Sequence, residues 1–271
     1  LMAFTVSCIF AFVMMFMNKW LAILLLLVIA GSMIVRNFKI HGLREKAAKE
    51  LELFDLKRVT DADFAVRTCF EHSGLFLKVI KDNISQCFDG ILTQDRKQLK
   101  KLRRETSKIQ AEANIIVANI FKTLRLLTHE DVAHAGKYAY VVSALQAIAE
   151  SLRDMIMRCH VHTSNKHAGL LPVQRKELEQ IRKCVEDLLE DTSRILLNRE
   201  DFDYRKVAAH YLDLKQLLED NDRNQIDRIR NSVSKTRLSI LFYGINNGCL
   251  KISEQALQLL TIFEETFKMD E

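Results

Sequence analysis

The stretch IAESLRD, residues 148–154, places Glu150 and Asp154 four positions apart in a segment with an apolar stripe. Residues four apart are neighbours on one side of an α-helix, so the two carboxylates would lie close together. Carboxylate oxygens are the ligands that hard cations prefer, which makes the pair a candidate cation site. The competing interpretation is a solvated surface with local ion pairs, Glu150 with Arg153 and Asp154 with Arg158.

The composition of the chain predicts an all-helical protein. Its 271 residues are 48% hydrophobic and include one Pro and eight Gly. So few helix breakers indicate long helices with short connections, and alternating apolar and polar runs are almost absent, which argues against β-sheet. The six cysteines form no C-x-x-C pair, and we expect them to be reduced core residues of a cytosolic region.

Two uncharged apolar runs open the chain, at residues 1–17 and 20–35. As helices they would be about 24–26 Å long, and together they predict a transmembrane helical hairpin over residues 1–36. A basic linker follows at residues 37–60. Because Lys and Arg concentrate on the cytoplasmic side of membrane proteins, we expect residues 36–271 to lie in the cytoplasm.

The remainder of the chain contains six segments whose apolar residues recur every three or four positions, the pattern of amphipathic helices. They cover approximately residues 61–92, 94–127, 133–162, 173–198, 203–231 and 235–268. A shift of 104 positions moves the apolar stripe of the first segment onto the fourth, and that of the third onto the sixth. This internal repeat predicts two tandem three-helix bundles, over about 61–164 and 165–271, within a domain spanning 61–271.

The candidate carboxylates take part in this repeat. With the apolar stripe of the third segment facing the core, Glu150 and Asp154 fall at solvent-facing heptad positions. The same shift of 104 leads to Glu254 and Gln258, so the second copy, EQALQ, keeps the Glu and loses the Asp. Glu150, Asp154 and Glu254 are therefore the candidate oxygen ligands of a hard cation such as Mg²⁺ or Fe.

Tandem three-helix bundles that carry ESLRD on an outer helix face resemble the PhoU family, in which acidic motifs bind multivalent metal ions at the surface. The neighbouring helix of that family is also acidic, whereas the corresponding segment here, RKQLKKLRRETSK, is basic. A two-helix hairpin before such a domain is similar to the C-terminal part of a bacterial inorganic phosphate transporter of the PiT family. That similarity covers the architecture and residues 1–50 and 130–160.

The resemblance implies a cytoplasmic regulatory domain of a multi-pass protein in the bacterial inner membrane. Its partners would be the membrane, an upstream transporter domain and inorganic phosphate as the substrate of the whole protein, with a homodimer left open. The GAND-type motifs of these transporters do not occur in this chain, which starts with Leu1 rather than Met, and we expect them upstream. The alternative function is a membrane-anchored helical interaction or signalling module without transport activity.

The basic stretch RKQLKKLRR, residues 96–104, has two interpretations. It is either a solvated helix face or a surface for anionic lipid headgroups or for an acidic region of the transporter core. Nucleic acid is not expected as a partner, because no aromatic residues interleave with the basic ones. No nucleophile arrangement, P-loop or dinucleotide fingerprint occurs, and we predict no enzymatic activity.

Overall fold

The computed structural model describes residues 27, 28, 31, 32, 62–124, 132–198 and 204–267. The predicted hairpin and linker, residues 1–60, lie outside the described residues except for positions 27, 28, 31 and 32, which are helical. Among the described residues, no helix has both the length and the apolar character needed to cross a bilayer. The transmembrane hairpin therefore stays a prediction.

Six long helices account for nearly all of residues 62–267, and the described part of the chain contains no strand. The helices are α1 (Ala62–Leu92), α2 (Arg96–Leu124), α3 (Val132–Ser164), α4 (Pro172–Asn198), α5 (Tyr204–Arg230) and α6 (Thr236–Phe267). The all-helical prediction is thereby confirmed for the described residues.

Local signals in the sequence explain where two of the helices begin. The Asp95 carboxylate accepts hydrogen bonds from the backbone N–H groups of Lys97 and Gln98, at 2.8 and 3.0 Å, and so caps the start of α2. Pro172 is the first residue of α4, where its missing N–H group costs no helical hydrogen bond.

The helices pack as two groups of three, α1 with α2 and α3, and α4 with α5 and α6. The groups meet along α1 and α4 and along α3 and α6, and residues 59–271 form one compact unit. Nearly all positions of the predicted apolar stripes are buried in a shared core, including Leu77, Ile84, Leu152, Ile181 and Leu188. Burial of these stripes is the main force that holds the helices together.

The second group of helices also contains a buried network of polar side chains. Gln174 of α4 donates from Nε2 to Oε1 of Gln225 on α5 at 2.8 Å. Gln225 in turn donates to the hydroxyls of Ser234 and Ser239 at 2.9 and 2.8 Å. All four side chains are buried, so these hydrogen bonds replace the water that folding removed.

An ion pair extends this network. The guanidinium of Arg228 donates from Nη1 and Nη2 to the two carboxylate oxygens of Glu177, both at 2.9 Å. It also donates from Nε to Gln225 and lies over the ring of Phe242, 5.3 Å from its centroid. The Arg228 and Glu177 side chains are only 11% and 10% exposed, so loss of one charge would leave the other buried without a counterion.

We predict that Glu177→Gln lowers the free energy of unfolding by about 3–5 kcal/mol, the range for breaking one side of a buried ion pair. Urea denaturation followed by circular dichroism measures this change. The matched control is Asp227→Asn, because Asp227 lies 3.9 Å from Arg230 in a pair that is 69% and 77% exposed. The control should change stability by at most about 1 kcal/mol, and equal effects of the two variants would contradict the prediction.

Candidate functional site

The candidate carboxylates lie at a groove between α3 and α6. The two helices run antiparallel, with Gly244 against Arg158 and Gly248 against Met155. The two glycines carry no side chain at this contact, and the space beside them belongs to a groove of about 820 Å³. The two glycines therefore let the Arg158 and Met155 side chains of α3 lie close to the backbone of α6 along this groove.

The structure brings the three predicted ligands to this one groove. Glu150 and Asp154 border it from α3, and Glu254 borders it from α6. All three side chains are exposed, as the heptad pattern predicts for the first two. Residues far apart in the chain thus meet because α3 and α6 pack together.

The local ion pair at the motif differs from the one expected from helical spacing. Arg153 donates from Nε and Nη2 to Oδ1 of Asp154, its chain neighbour, at 3.2 and 3.1 Å. Arg158, four positions after Asp154, extends instead across Gly244. Because the Arg153 and Asp154 side chains are 46% and 60% exposed, their pair contributes little to stability.

The groove also contains positive charge, which limits what the carboxylates can bind. Arg158 and Lys251 border it together with the three carboxylates. In the part of the chain that the structure describes, no three His, Cys, Asp or Glu side chains are grouped so that they could hold one metal ion. A hard cation takes six or more oxygen ligands, so an ion here would depend on water or on a second molecule for most of them.

A tyrosine from α5 fixes the carboxylate of α6. The hydroxyl of Tyr211 donates to Oε1 of Glu254 at 3.1 Å. Burial, and secondly the negative charge of Glu254, raise the pKa of Tyr211 to about 12. Sequence reasoning missed this residue, because nothing in the spacing between positions 211 and 254 shows that the two side chains meet.

The far end of the same face is apolar and basic. A depression of about 290 Å³ there is bordered by Met157, Val161 and Ile240, together with Arg158 and Arg237. The three apolar side chains are 41%, 44% and 56% exposed. Ile240 and Arg158 also border the groove, so the α3–α6 face is continuous from its carboxylates to this end.

We predict that any Mg²⁺ or Fe²⁺ bound by the chain is lost in the double variant Glu150→Ala with Asp154→Ala. Calorimetric titration of each ion, with metal content by mass spectrometry, measures binding. Glu179→Ala with Asp227→Ala is the matched control, since it removes the same charge from exposed positions of α4 and α5. If the parent protein binds neither Mg²⁺ nor Fe²⁺, the prediction of a metal site is wrong.

We predict that Glu254→Gln lowers the pKa of Tyr211 from about 12, because it removes the negative charge of Glu254, one of three causes of the shift, and leaves burial. Since the folded-state pKa lies above the ordinary value of 10.0, the stability that this phenol contributes is present below pH 10 and is lost as the pH rises toward 12. Absorbance titration checks the shift, with Tyr211→Phe identifying the signal. An unchanged titration in Glu254→Gln would contradict the contact.

Comparison of the sequence with models of known protein families gives no match, and comparison with curated proteins gives none either. The function of the domain is therefore inferred from its own helices, groove and charges.

Proposed function

We propose that the six-helix unit is a PhoU-like regulatory domain at the C-terminal end of an inorganic phosphate transporter. The observation that carries this proposal is the position of Glu150 and Glu254, counterparts in the two repeats, at one groove where the repeats meet. In this proposal the two opening apolar runs are the last membrane hairpin of the transporter. The unit then lies on the cytoplasmic side of a bacterial inner membrane, and phosphate is the substrate of the whole protein.

The packing of the helices supports a tandem repeat. Each group of three consecutive helices packs within itself, and the first and third helices of one group meet the first and third of the other. Three pairs of residues separated by 104 positions border the groove: Ala147 and Lys251, Glu150 and Glu254, and Ser151 and Gln255. A shift detected from apolar stripes thus also relates two pairs of polar residues across the groove, Glu150 with Glu254 and Ser151 with Gln255.

Regulation in this proposal is allosteric. A domain shifts a transporter between conformations only by the difference in its contact free energy with the two states. The α3–α6 face offers carboxylates, cations and exposed apolar side chains to a partner segment. Binding of that segment in one transporter state only would bias transport through the hairpin.

The exposed apolar end of the α3–α6 face favours the second candidate, a membrane-anchored interaction or signalling module without transport activity. Met157, Val161 and Ile240 form an apolar patch beside Arg158 and Arg237, a composition typical of protein docking sites. Such a module needs only a membrane anchor and this face, and no transporter core.

We predict that deletion of the whole gene abolishes uptake of labelled phosphate in cells without other phosphate carriers. Removal of residues 59–271 alone should keep uptake but change its dependence on phosphate supply several-fold, because the regulatory contact is lost. The coding sequence upstream of Leu1 should provide further hydrophobic spans with the transporter motifs. Equal uptake with and without the gene would rule out the transporter and leave the signalling module.

A pair of charge-matched variants tests whether the groove carries the regulation. Glu150→Gln with Glu254→Gln removes the repeated carboxylates, and Glu179→Gln with Asp227→Asn removes the same charge elsewhere. Only the first variant should alter the response of uptake to phosphate supply. The same response in both would place regulation outside the groove.

A further inference from the structure

One face of α2 carries a dense cluster of basic residues. Helix α2 contains eight Lys or Arg residues and two Glu residues, a net charge of +6, against +5 for the whole chain. Seven of the basic residues lie in its first half and are exposed, and we call them the α2 basic face. They are Arg96, Lys97, Lys100, Lys101, Arg103, Arg104 and Lys108.

The α2 basic face has a large excess of positive charge, since Glu105 and Glu112 are the two acidic residues of α2. Within the described residues, none of its seven side chains forms an ion pair with a carboxylate, although α1, α4 and α5 contain several such pairs. The one described side-chain contact is from Arg103, whose Nη1 lies 3.3 Å from Nδ1 of His160. Burial, and then the charges of Arg103, Arg96 and Lys100, lower the pKa of His160, which is consistent with a positive potential at this surface.

The geometry of the face indicates a broad partner. At 100° per residue the seven side chains cover about 160° of the helix circumference, and at 1.5 Å per residue they span about 18 Å of its length. The opposite side of this stretch, with Leu99, Leu102 and Ile109, is buried in the core. A wide convex array of cations suits an extended anionic surface better than a small anion, which needs converging groups in a cleft.

The second repeat keeps only part of this charge. At a shift of 105 positions, Arg103, Arg104 and Lys108 correspond to Ala208, Ala209 and Asp213 of α5, whereas Lys100 and Lys101 correspond to the basic residues Arg205 and Lys206. Helix α5 packs against both other helices of its group without cations at the first three of these positions. The charge of Arg103, Arg104 and Lys108 is therefore a property of the exposed surface and is not required for packing.

We propose that the α2 basic face docks on an anionic lipid surface. Clusters of Lys and Arg on an amphipathic helix bind such surfaces through their combined charge, whereas unspecific single-strand binding needs aromatic side chains for base stacking. None occurs in the first 25 residues of α2. The inference rests on the proposed function in one respect, because the predicted hairpin would anchor the chain in a membrane.

The test measures the reactivity of lysines in the full chain, reconstituted in nanodiscs of phosphatidylcholine alone or with one third phosphatidylglycerol. Lysine acetylation, read by mass spectrometry, should be several-fold slower at Lys97, Lys100, Lys101 and Lys108 in the anionic discs. The rate at Lys215, exposed on α5, should be the same in both. High salt should remove the protection, because screening weakens attraction between exposed charges.

Matched variants show whether the charges themselves are responsible. Replacement of Lys100, Lys101, Arg103 and Arg104 by Gln should abolish the protection of Lys97 and Lys108. Replacement of four exposed residues of the other helix group, Lys176, Lys183, Arg205 and Lys215, by Gln changes the net charge equally and should leave protection intact.

Three outcomes would overturn the inference: equal acetylation in the two kinds of disc, equal loss of protection in the two variants, or stronger protection by duplex DNA at the same phosphate concentration. Failure of the proposed function gives a different result. A chain that separates from neutral discs on gel filtration lacks the predicted hairpin, and lysine protection is then measured by adding anionic vesicles to the free chain.

Discussion

The close approach of α1 and α4 is the contact on which the arrangement of the six helices depends. Gly74 has no side chain, and a Cβ atom there would lie 3.0–3.2 Å from Leu197, Leu196 and the carbonyl oxygen of Ser193. The absence of that atom lets the hydroxyl of buried Ser193 donate to the carbonyl of Gly74 at 2.7 Å. Since a buried hydroxyl without a partner is costly, this hydrogen bond fixes how far the helices can slide along each other.

Ion pairs extend the same contact along the antiparallel helices. Lys81 donates to Glu190 at 2.5 Å, and Arg182 donates to Asp89 at 2.7 Å. These pairs are partly exposed and contribute less than the buried core, but each is satisfied in only one register. With the register of α1 and α4 fixed, α3 and α6 also meet antiparallel, and the groove between them follows from the same packing.

The helices could be predicted from sequence because their apolar stripes are local patterns, and the exposure of Glu150 and Asp154 follows from the same periodicity. Contacts between distant positions could not. Gln174 and Gln225 are polar, so a binary pattern places them at the surface, yet both are fully buried. Their burial requires the guanidinium of α5 and the hydroxyls of α6 and of the connection before it, and it becomes visible only once the helices are assembled. The contact of Tyr211 with Glu254 has the same origin.

The two helix groups share a pattern of burial and differ in how they use polar residues. The second group places polar side chains inside, where the pair of Glu177 and Arg228 is nine-tenths buried. The first group has Phe70 at the position that corresponds to Gln174 under the shift of 104. The ring of Phe70 packs edge-on against that of Phe263, with 5.2 Å between the ring centroids. Its distinctive charge lies outside, on α2. A repeated fold requires the same apolar stripe in both copies, but it leaves the solvent face of each copy free to change. The carboxylates at the groove and the cations of α2 are therefore better guides to function than the stripes that build the bundle.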